Sequence, residues 1–514
     1  MLSKSCDILI VGGGTGGCAA AMAATSMGMT VIMTERYPWI GGQLTSQAVP
    51  PDEHPWIESF GCTARYRDYR NAVRAQYHRR LLTEDARTQR NLNPGGGWVS
   101  NLCHEPEIGV NVLNAMLSGS TEPNKPEVLI PWVPESAETS GDQVQAVILR
   151  NLESGEQVRI EAKFVLDATE LGDLLPLTGT EYVSGAESKR DTNEPHAIEG
   201  DPEPDNVQGL TWVMALGYDP EGDHTIERPV QYDFWRTYRP SFWPDNLLSY
   251  KMLDVRTLEP RDFPMFGNDR FNLFEYRQIV DPTIYESEQP QAATIANWPQ
   301  NDYFVENIID KPADQVEKSL FAAKQLSLSF LYWLQTEGGH PGLCLRPDLT
   351  GTQDGLTQAP YIRESRRIKA KFTVCEQHVA TYTNEGRDRA VEFNDSVGIG
   401  AYRLDLHPST SGANTIDTSS LPFQIPLGSL IPVRMKNLIP ACKNLGVTHL
   451  TNGCYRLHPI EWNIGESAGL LAAYCIKSGL KPVQVWESDQ ETGQFQELCI
   501  RQGIEIEWPT LGPL

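Results

Sequence analysis

"DILIVGGGTGGCAAAMAATSMGMTVIMTE", residues 7–35, decides how the chain folds. The apolar run Ile8 to Val11 enters a glycine-rich turn, an alanine-rich stretch follows, and Val31 to Met33 are apolar again. That order reads as strand, turn, helix, strand. The turn has the spacing G-x-G-x-x-G at Gly12, Gly14 and Gly17. Gly12 permits the tight turn, Gly14 lets backbone approach a pyrophosphate, and Gly17 lets helix and strand pack closely. A pyrophosphate then meets the helix N-terminus at Thr15, where free N–H groups and the helix dipole favour an anion. Glu35 ends the second strand, with Arg36 after it, and its carboxylate suits ribose hydroxyls rather than a 2′-phosphate.

The loop alone does not separate NAD from FAD. Gly41-Gly42-Gln43 supplies a second glycine turn shortly after the acid, where a longer cofactor runs on past its ribityl chain. EVLIPWV (127–133, ending at Val133), QVQAVILRN (143–151) and EQVRIEAKFVLDAT (156–169) form a small β-meander whose last strand runs into Asp167, Ala168 and Thr169. Such a meander is expected of flavoproteins, so FAD is the expected cofactor. No second G-x-G-x-x-G follows a strand, and no C-x-x-C pair occurs. A built-in NAD(P)H site of the disulfide-reductase kind is therefore not expected, nor is a zinc knuckle or other metal site. Electrons must leave for O2, a quinone, a partner protein or an oxidised substrate.

Four stretches carry a family likeness: the N-terminal loop with Glu35-Arg36; VLDATELGDLL (165–175); YIRESRRI (361–368) with DSVGIGAYRLDLH (395–407); and NLIPACKNLGVTHLTNGCYRLHPIEWNIGESAGLLAAY (437–474). On these the chain resembles the FAD-dependent oxidoreductases of the glutathione-reductase-like superfamily. It is similar in particular to the broad group holding tricarballylate-dehydrogenase-like and xanthan-lyase-like proteins. The resemblance implies a bound FAD and a substrate domain covering the flavin, without naming a substrate. Glu170-Leu171 stands where many relatives have Gly-Asp, and Lys443 where an Arg after a Gly is usual.

The resemblance also implies that the helix after RLHPIEW turns its N-terminus toward the flavin N1/C2 carbonyl region. A positive helix end there favours the anionic reduced ring and hydride acceptance at N5. The helix is expected to begin near Asn463-Ile464 and end at Gly479, which brings Glu461, Asn463 and Ile464 to the cofactor. Arg456 and His458 lie on the approach, and His458 is the general acid/base candidate because a free imidazole titrates at about 6.5. A histidine that merely packs beside the flavin is the alternative.

A second helix is expected over Arg366 to Thr383, with Arg363 and Arg366 on one face. The pair reads as a guanidinium fork for a substrate carboxylate, or as a salt bridge between domains to Glu170 or Asp173. His407, and the aromatic-seeded loops holding Trp98, Ser100, His104, Trp298, Asn301 and Tyr303, are further candidates for a substrate cavity. Buried aromatics holding loops together are the commoner outcome.

The bulk properties bound the rest. With 514 residues, 40% hydrophobic and 21% charged, the chain suits a multidomain globular protein. No stretch approaches the ~18 apolar residues of a membrane span, and no signal peptide is evident. A net charge of −24 argues against nucleic-acid binding. Ten scattered cysteines read as free thiols in a reducing, cytoplasmic compartment. Against the acidic background, residues 65–80 carry six arginines, one histidine and a single acid, Asp68. The segment reads as a solvated helix face, with an anion-facing helix as the alternative.

The expected fold is α/β. A discontinuous Rossmann-type FAD-binding domain takes residues 1–182 and 420–514, and a mixed α/β substrate domain is inserted at 183–419. The expected activity is hydride transfer from a small polar substrate, at a C–H next to N or O, to flavin N5, with O2 or another acceptor reoxidising it. A single-component NAD(P)H-using monooxygenase and a non-catalytic electron-transfer or assembly subunit are the alternatives. Homo-oligomer formation is compatible with all three.

Overall fold

The computed structural model describes residues 2–119, 125–267, 271–287, 289–509 and 511. Its main sheet is built on β1 (Leu2–Val11), β2 (Val31–Thr34), β3 (Glu127–Leu129), β4 (Trp132–Ser140), β5 (Gln143–Asn151), β6 (Gln157–Asp167) and β7 (Leu438–Pro440). Strands β3-β2-β1-β6-β7 are neighbours in that order and all parallel. β6 changes partner along its length. Its first half pairs antiparallel with β5, from Ala146↔Glu161 to Arg150↔Gln157, and its second half pairs with β7 through Val165, Leu166 and Asp167. Continuous apolar runs mark the doubly covered part: Ile8 to Val11 are fully buried. Segments more than 250 residues apart in the chain thus share one α/β sheet.

Four helices frame the site: α1 (Thr15–Ser26), α2 (Ala64–Tyr77), α3 (Ala313–Gln335) and α4 (His458–Ser478). α1 and α4 cross backbone to backbone. A Cβ on Gly465 would lie 2.0 Å from the Gly16 carbonyl oxygen, and one on Gly469 would lie 2.4 Å from that of Ala20. The glycines that break the apolar run after Ile464 are therefore what lets the two helices meet.

The middle of the chain forms an antiparallel sheet in the order Gln278–Val280, Ala293–Ala296, Met214–Tyr218, Leu343–Leu345. It packs with α3 over a second core holding Trp235, Trp298, Phe330 and Trp333.

Three expectations are corrected. α4 starts at His458, not near Asn463, with Pro459 in its first turn, where a missing N–H costs nothing. No helix spans 366–383: Arg367–Ile368 pairs with Tyr182–Val183, and only short turns form, at Glu376–Val379 and Thr381–Thr383. The Arg367 guanidinium binds Glu187 at 2.8 Å, Glu364, and the carbonyls of Gly185 and Val447, so long-range ion pairs override local propensity. The inner face of α2 is not solvated either, since Arg70 and Arg74 are buried against Glu53 and Glu58.

Candidate functional site

At the C-terminal ends of β1, β2 and β6 a groove opens, lined by Gly12, Gly14, Thr34, Glu35, Arg36, Gly42, Val133, Ala168 and Glu170 among others. The glycine turn is tight. A Cβ on Gly12 would stand 2.2 Å from the Ala168 oxygen, and one on Gly17 would stand 2.0 Å from the Gly12 oxygen. Gly14 has no side chain to cap α1, and of the first N–H groups of the helix Gly16 N is met by Glu461. Thr15 Oγ1 donates to the Gly41 oxygen at 2.9 Å, which ties the two glycine turns together. Glu35 accepts from the backbone N–H groups of Gly13, Arg36 and Tyr37 at 2.9, 2.7 and 2.9 Å. Burial nevertheless lifts its carboxyl to about 7.

Glu170 ion-pairs with Lys443 over this loop, and its Oε1 is 3.2 Å from where a Gly14 Cβ would be. Glu461 forms a floor beneath this loop rather than lining the groove, 3.8 Å from Lys443, with Gly16 N donating to it at 3.4 Å and Gln43 Nε2 at 3.1 Å. Burial pushes the Glu461 carboxyl up to about 7. An uncapped helix start, a glycine cradle closed to any Cβ and an acid at the end of β2 fit a dinucleotide diphosphate and its ribose. Asn463 and Ile464, expected here, lie elsewhere. They sit a turn inside α4, where Asn463 Oδ1 accepts from Ile399 N at 3.2 Å and Ile464 joins the core.

From the floor a chain of polar contacts runs outward. Gln43 Nε2 also donates to the Arg456 carbonyl at 3.1 Å, and Tyr361 OH is 3.5 Å from Gln43 Oε1. Arg456 donates to Tyr361 OH at 2.8 Å and reaches Asp405 Oδ2 at 3.4 Å. Asp405 faces His407 Nε2 at 3.7 Å, and His407 Nδ1 is 2.5 Å from the buried Asp302. Asp405 and His407 line a second cavity of about 530 Å3, together with Arg277, Asn297, Trp298, Tyr402 and Arg403. That size suits a small organic ligand.

His458 sits beside this chain, its Nδ1 accepting from Asp52 N at 3.0 Å. Burial, with the Arg277 and Arg456 charges adding to it, pushes its imidazole down to about 3. It is a neutral ring, not one titrating near its free value. Arg363 and Arg366 are held within the fold. Arg363 donates to Gly209 O, Thr211 Oγ1 and Asn297 Oδ1 and pairs with Asp302 at 3.1 Å. Arg366 bridges to Asp173 at 3.4 Å and Asp310 at 2.9 Å, the salt-bridge alternative of the sequence reading. Of the six residues named from the aromatic-seeded loops, Trp298 lines the large cavity, with Asn297 and Pro299 beside it; Trp98 is exposed, and Asn301 holds Ala296 O and Ser327. Asp52, Arg277, Asp302, Tyr361 and Tyr402 were not singled out from the sequence, because no local spacing links them.

A family model described as FAD dependent oxidoreductase matches residues 7–498. No curated protein matches. Among solved structures, a geranylgeranyl bacteriochlorophyll reductase-like protein from Thermoplasma acidophilum is 12% identical, with 98% of this chain and 85% of that one covered and a TM-score of 0.34. The OxyS anhydrotetracycline hydroxylase from Streptomyces rimosus is 12% identical over 97% and 68%, with a TM-score of 0.34. For L-proline dehydrogenase from P. horikoshii the identity is 14%, the TM-score 0.19 and the coverage 37% of this chain and 26% of that one. Among the described residues no helix is long and apolar enough to cross a membrane.

Proposed function

The chain belongs to the FAD dependent oxidoreductase family and is an FAD enzyme, and from that premise we propose that it oxidises a small polar substrate in the 530 Å3 cavity. When bound, FAD supplies the acceptor, at N5, for a hydride leaving a C–H next to nitrogen or oxygen. In this reading Gly12, Gly14, Thr15 and Gly17 cradle its diphosphate, Glu35 takes the ribose, and Arg36, Val133, Ala168, Gly42 and Gln43 border its length. The N-terminus of α4, with Glu461 in its first turn, stands at the ring end.

The observation that carries the proposal is the polar chain Glu461–Gln43–Tyr361–Arg456–Asp405–His407, which starts from Glu461, linked through Lys443 to the groove residue Glu170, and ends at the cavity. His407 is the proton acceptor for the substrate O–H or N–H, and the buried Asp302 fixes its tautomer and orientation. His458 has the separate task of a neutral donor beside the ring. O2 or another external acceptor reoxidises the flavin, and ten unpaired cysteines suit a cytoplasmic setting.

Anaerobic mixing of the purified holoprotein with amines, hydroxy acids and sugars tests this. Some member of the panel should bleach the flavin, and His407→Asn should slow bleaching by roughly 10^2-fold or more. Bleaching by NADPH alone indicates a monooxygenase instead, and bleaching by nothing indicates an electron-transfer or assembly subunit.

A further inference from the structure

Arg277 is the one arginine of the large cavity whose buried donors the fold leaves unused. It stands between the one-turn helix Leu273–Tyr276 and the strand Gln278–Val280, and its carbonyl accepts from Ile295 N at 3.1 Å. The backbone is therefore anchored, while the guanidinium lies 5.3 Å from the Tyr276 ring centroid and lines the cavity. Its Nε and Nη1 are buried without a hydrogen-bond partner, and among the described residues it closes no ion pair.

The other charges of the wall are paired, apart from the exposed Arg256. Four arginines face three aspartates there. Asp254 meets Arg261 at 3.7 Å, Asp417 meets Arg403, and Asp405 meets Arg456 at 3.4 Å. Asp52 is the acid whose charge acts most strongly on Arg277, yet it forms no ion pair with it. In a chain of net charge −24, the surplus charge inside this cavity is positive. Buried guanidinium nitrogens with unmet donors oppose folding unless a ligand meets them. Its forked, planar donors match a carboxylate in two parallel hydrogen bonds.

Building on the oxidoreductase reading, we propose that Arg277 binds a carboxylate of the substrate, so that the enzyme acts on a small carboxylic acid rather than on a neutral sugar or a simple amine. Anchored there, the molecule lies along the wall between Trp298 and His407, which leaves its oxidisable carbon to face the Tyr361–Gln43 side.

The test uses the holoprotein, with flavin absorbance and tryptophan fluorescence as readouts, because Trp298 lines the same cavity. Lactate and succinate serve as carboxylate probes, inorganic phosphate as the other anion, and glycerol as the uncharged control. Both carboxylates should perturb the signals saturably and glycerol should not. Arg277→Met should weaken binding at least tenfold, with Arg277→Lys intermediate and FAD content unchanged in both. Equal binding to wild type and Arg277→Met, or no saturable response to either carboxylate, overturns the proposal. Tighter, Arg277-dependent binding of phosphate overturns the carboxylate assignment. Arg277-dependent carboxylate binding in a holoprotein that no donor bleaches sinks the hydride-transfer reading and leaves this site standing. Bleaching by an uncharged donor, undiminished in Arg277→Met, does the reverse.

Discussion

Two sets of buried arginines stand in this protein, and they are satisfied to different degrees. On α2, Arg70 places four hydrogen bonds on Glu53 and Glu58, between 2.7 and 3.0 Å. Arg74 adds two to Glu58 and two to the carbonyls of Leu92 and Asn101. Lining the cavity, Arg277 keeps two buried nitrogens without partners; behind the wall, Arg456 and Arg363 each lack a partner at Nε alone and place their other donors within the fold. Burial alone does not mark a functional arginine. Donors left over after the fold has taken what it needs do.

The largest effect should come from breaking the satisfied set. Arg70→Met leaves the buried Glu53 without its ion-pair partner while Glu58 keeps Arg74, which should cost about 3–5 kcal/mol of stability. Thermal and urea melts of the holoprotein check this. Substrate-driven bleaching per folded molecule should be unchanged. If bleaching falls while the melt does not move, the two clusters do not divide into structure and function as described.

A pH series sharpens the same point. Burial opposes ionisation of Glu58, but the Arg70 and Arg74 hydrogen bonds and charges overcome it and hold its carboxyl down to about 2. An unfolded glutamate titrates at about 4.3. The folded value is the lower one, so this stabilisation is present above about 4.3 and is lost as pH falls through 2. Unfolding free energies measured at steps from pH 6 to pH 2 should fall less steeply in Glu58→Gln than in wild type. Parallel slopes would refute the assignment.

Arg277→Met should do the opposite of Arg70→Met. It removes a buried charge that has no partner, so the ligand-free holoprotein should be unchanged or more stable by up to about 1–2 kcal/mol. A loss comparable to that of Arg70→Met would mean that Arg277 is structural.

The contrast also explains what the sequence made legible. Residues 7–35 were readable because strand, glycine turn and helix are local, and Gly12, Gly14, Glu35, Val133 and Ala168 do line one groove. α4 starts a turn before the place expected near Asn463, and Pro459, suited to a first helical turn, is the local residue that marks it. The helix expected over 366–383 failed because Arg367 answers Glu187, some 180 residues away in sequence. The arginine-rich helix was visible as charge but not as pairing, since Glu53 and Glu58 lie in a loop before it. The cavity was least legible of all. Asp52, Arg277, Asp302, Tyr361 and Arg456 come from five separated places, and only the folded chain brings their charges within reach of one another.

The smallest effect concerns His458, where an absence of change is informative. Its ring is buried and the Arg277 and Arg456 charges act on it, so it stays neutral from pH 5 to pH 8. Folded, its imidazole lies below the free value of about 6.5, so protonation on acidification opposes the fold instead of serving as a switch near neutrality. The rate of anaerobic flavin reduction in His458→Asn should therefore trace the same pH profile as wild type, differing in amplitude alone. Were an acidic limb between pH 6 and 7 to disappear in the variant, His458 would be the titrating group and the role given to His407 would pass to it. An unchanged profile leaves the role of proton acceptor with His407, on the side of the cavity where Arg277 still has donors to spare.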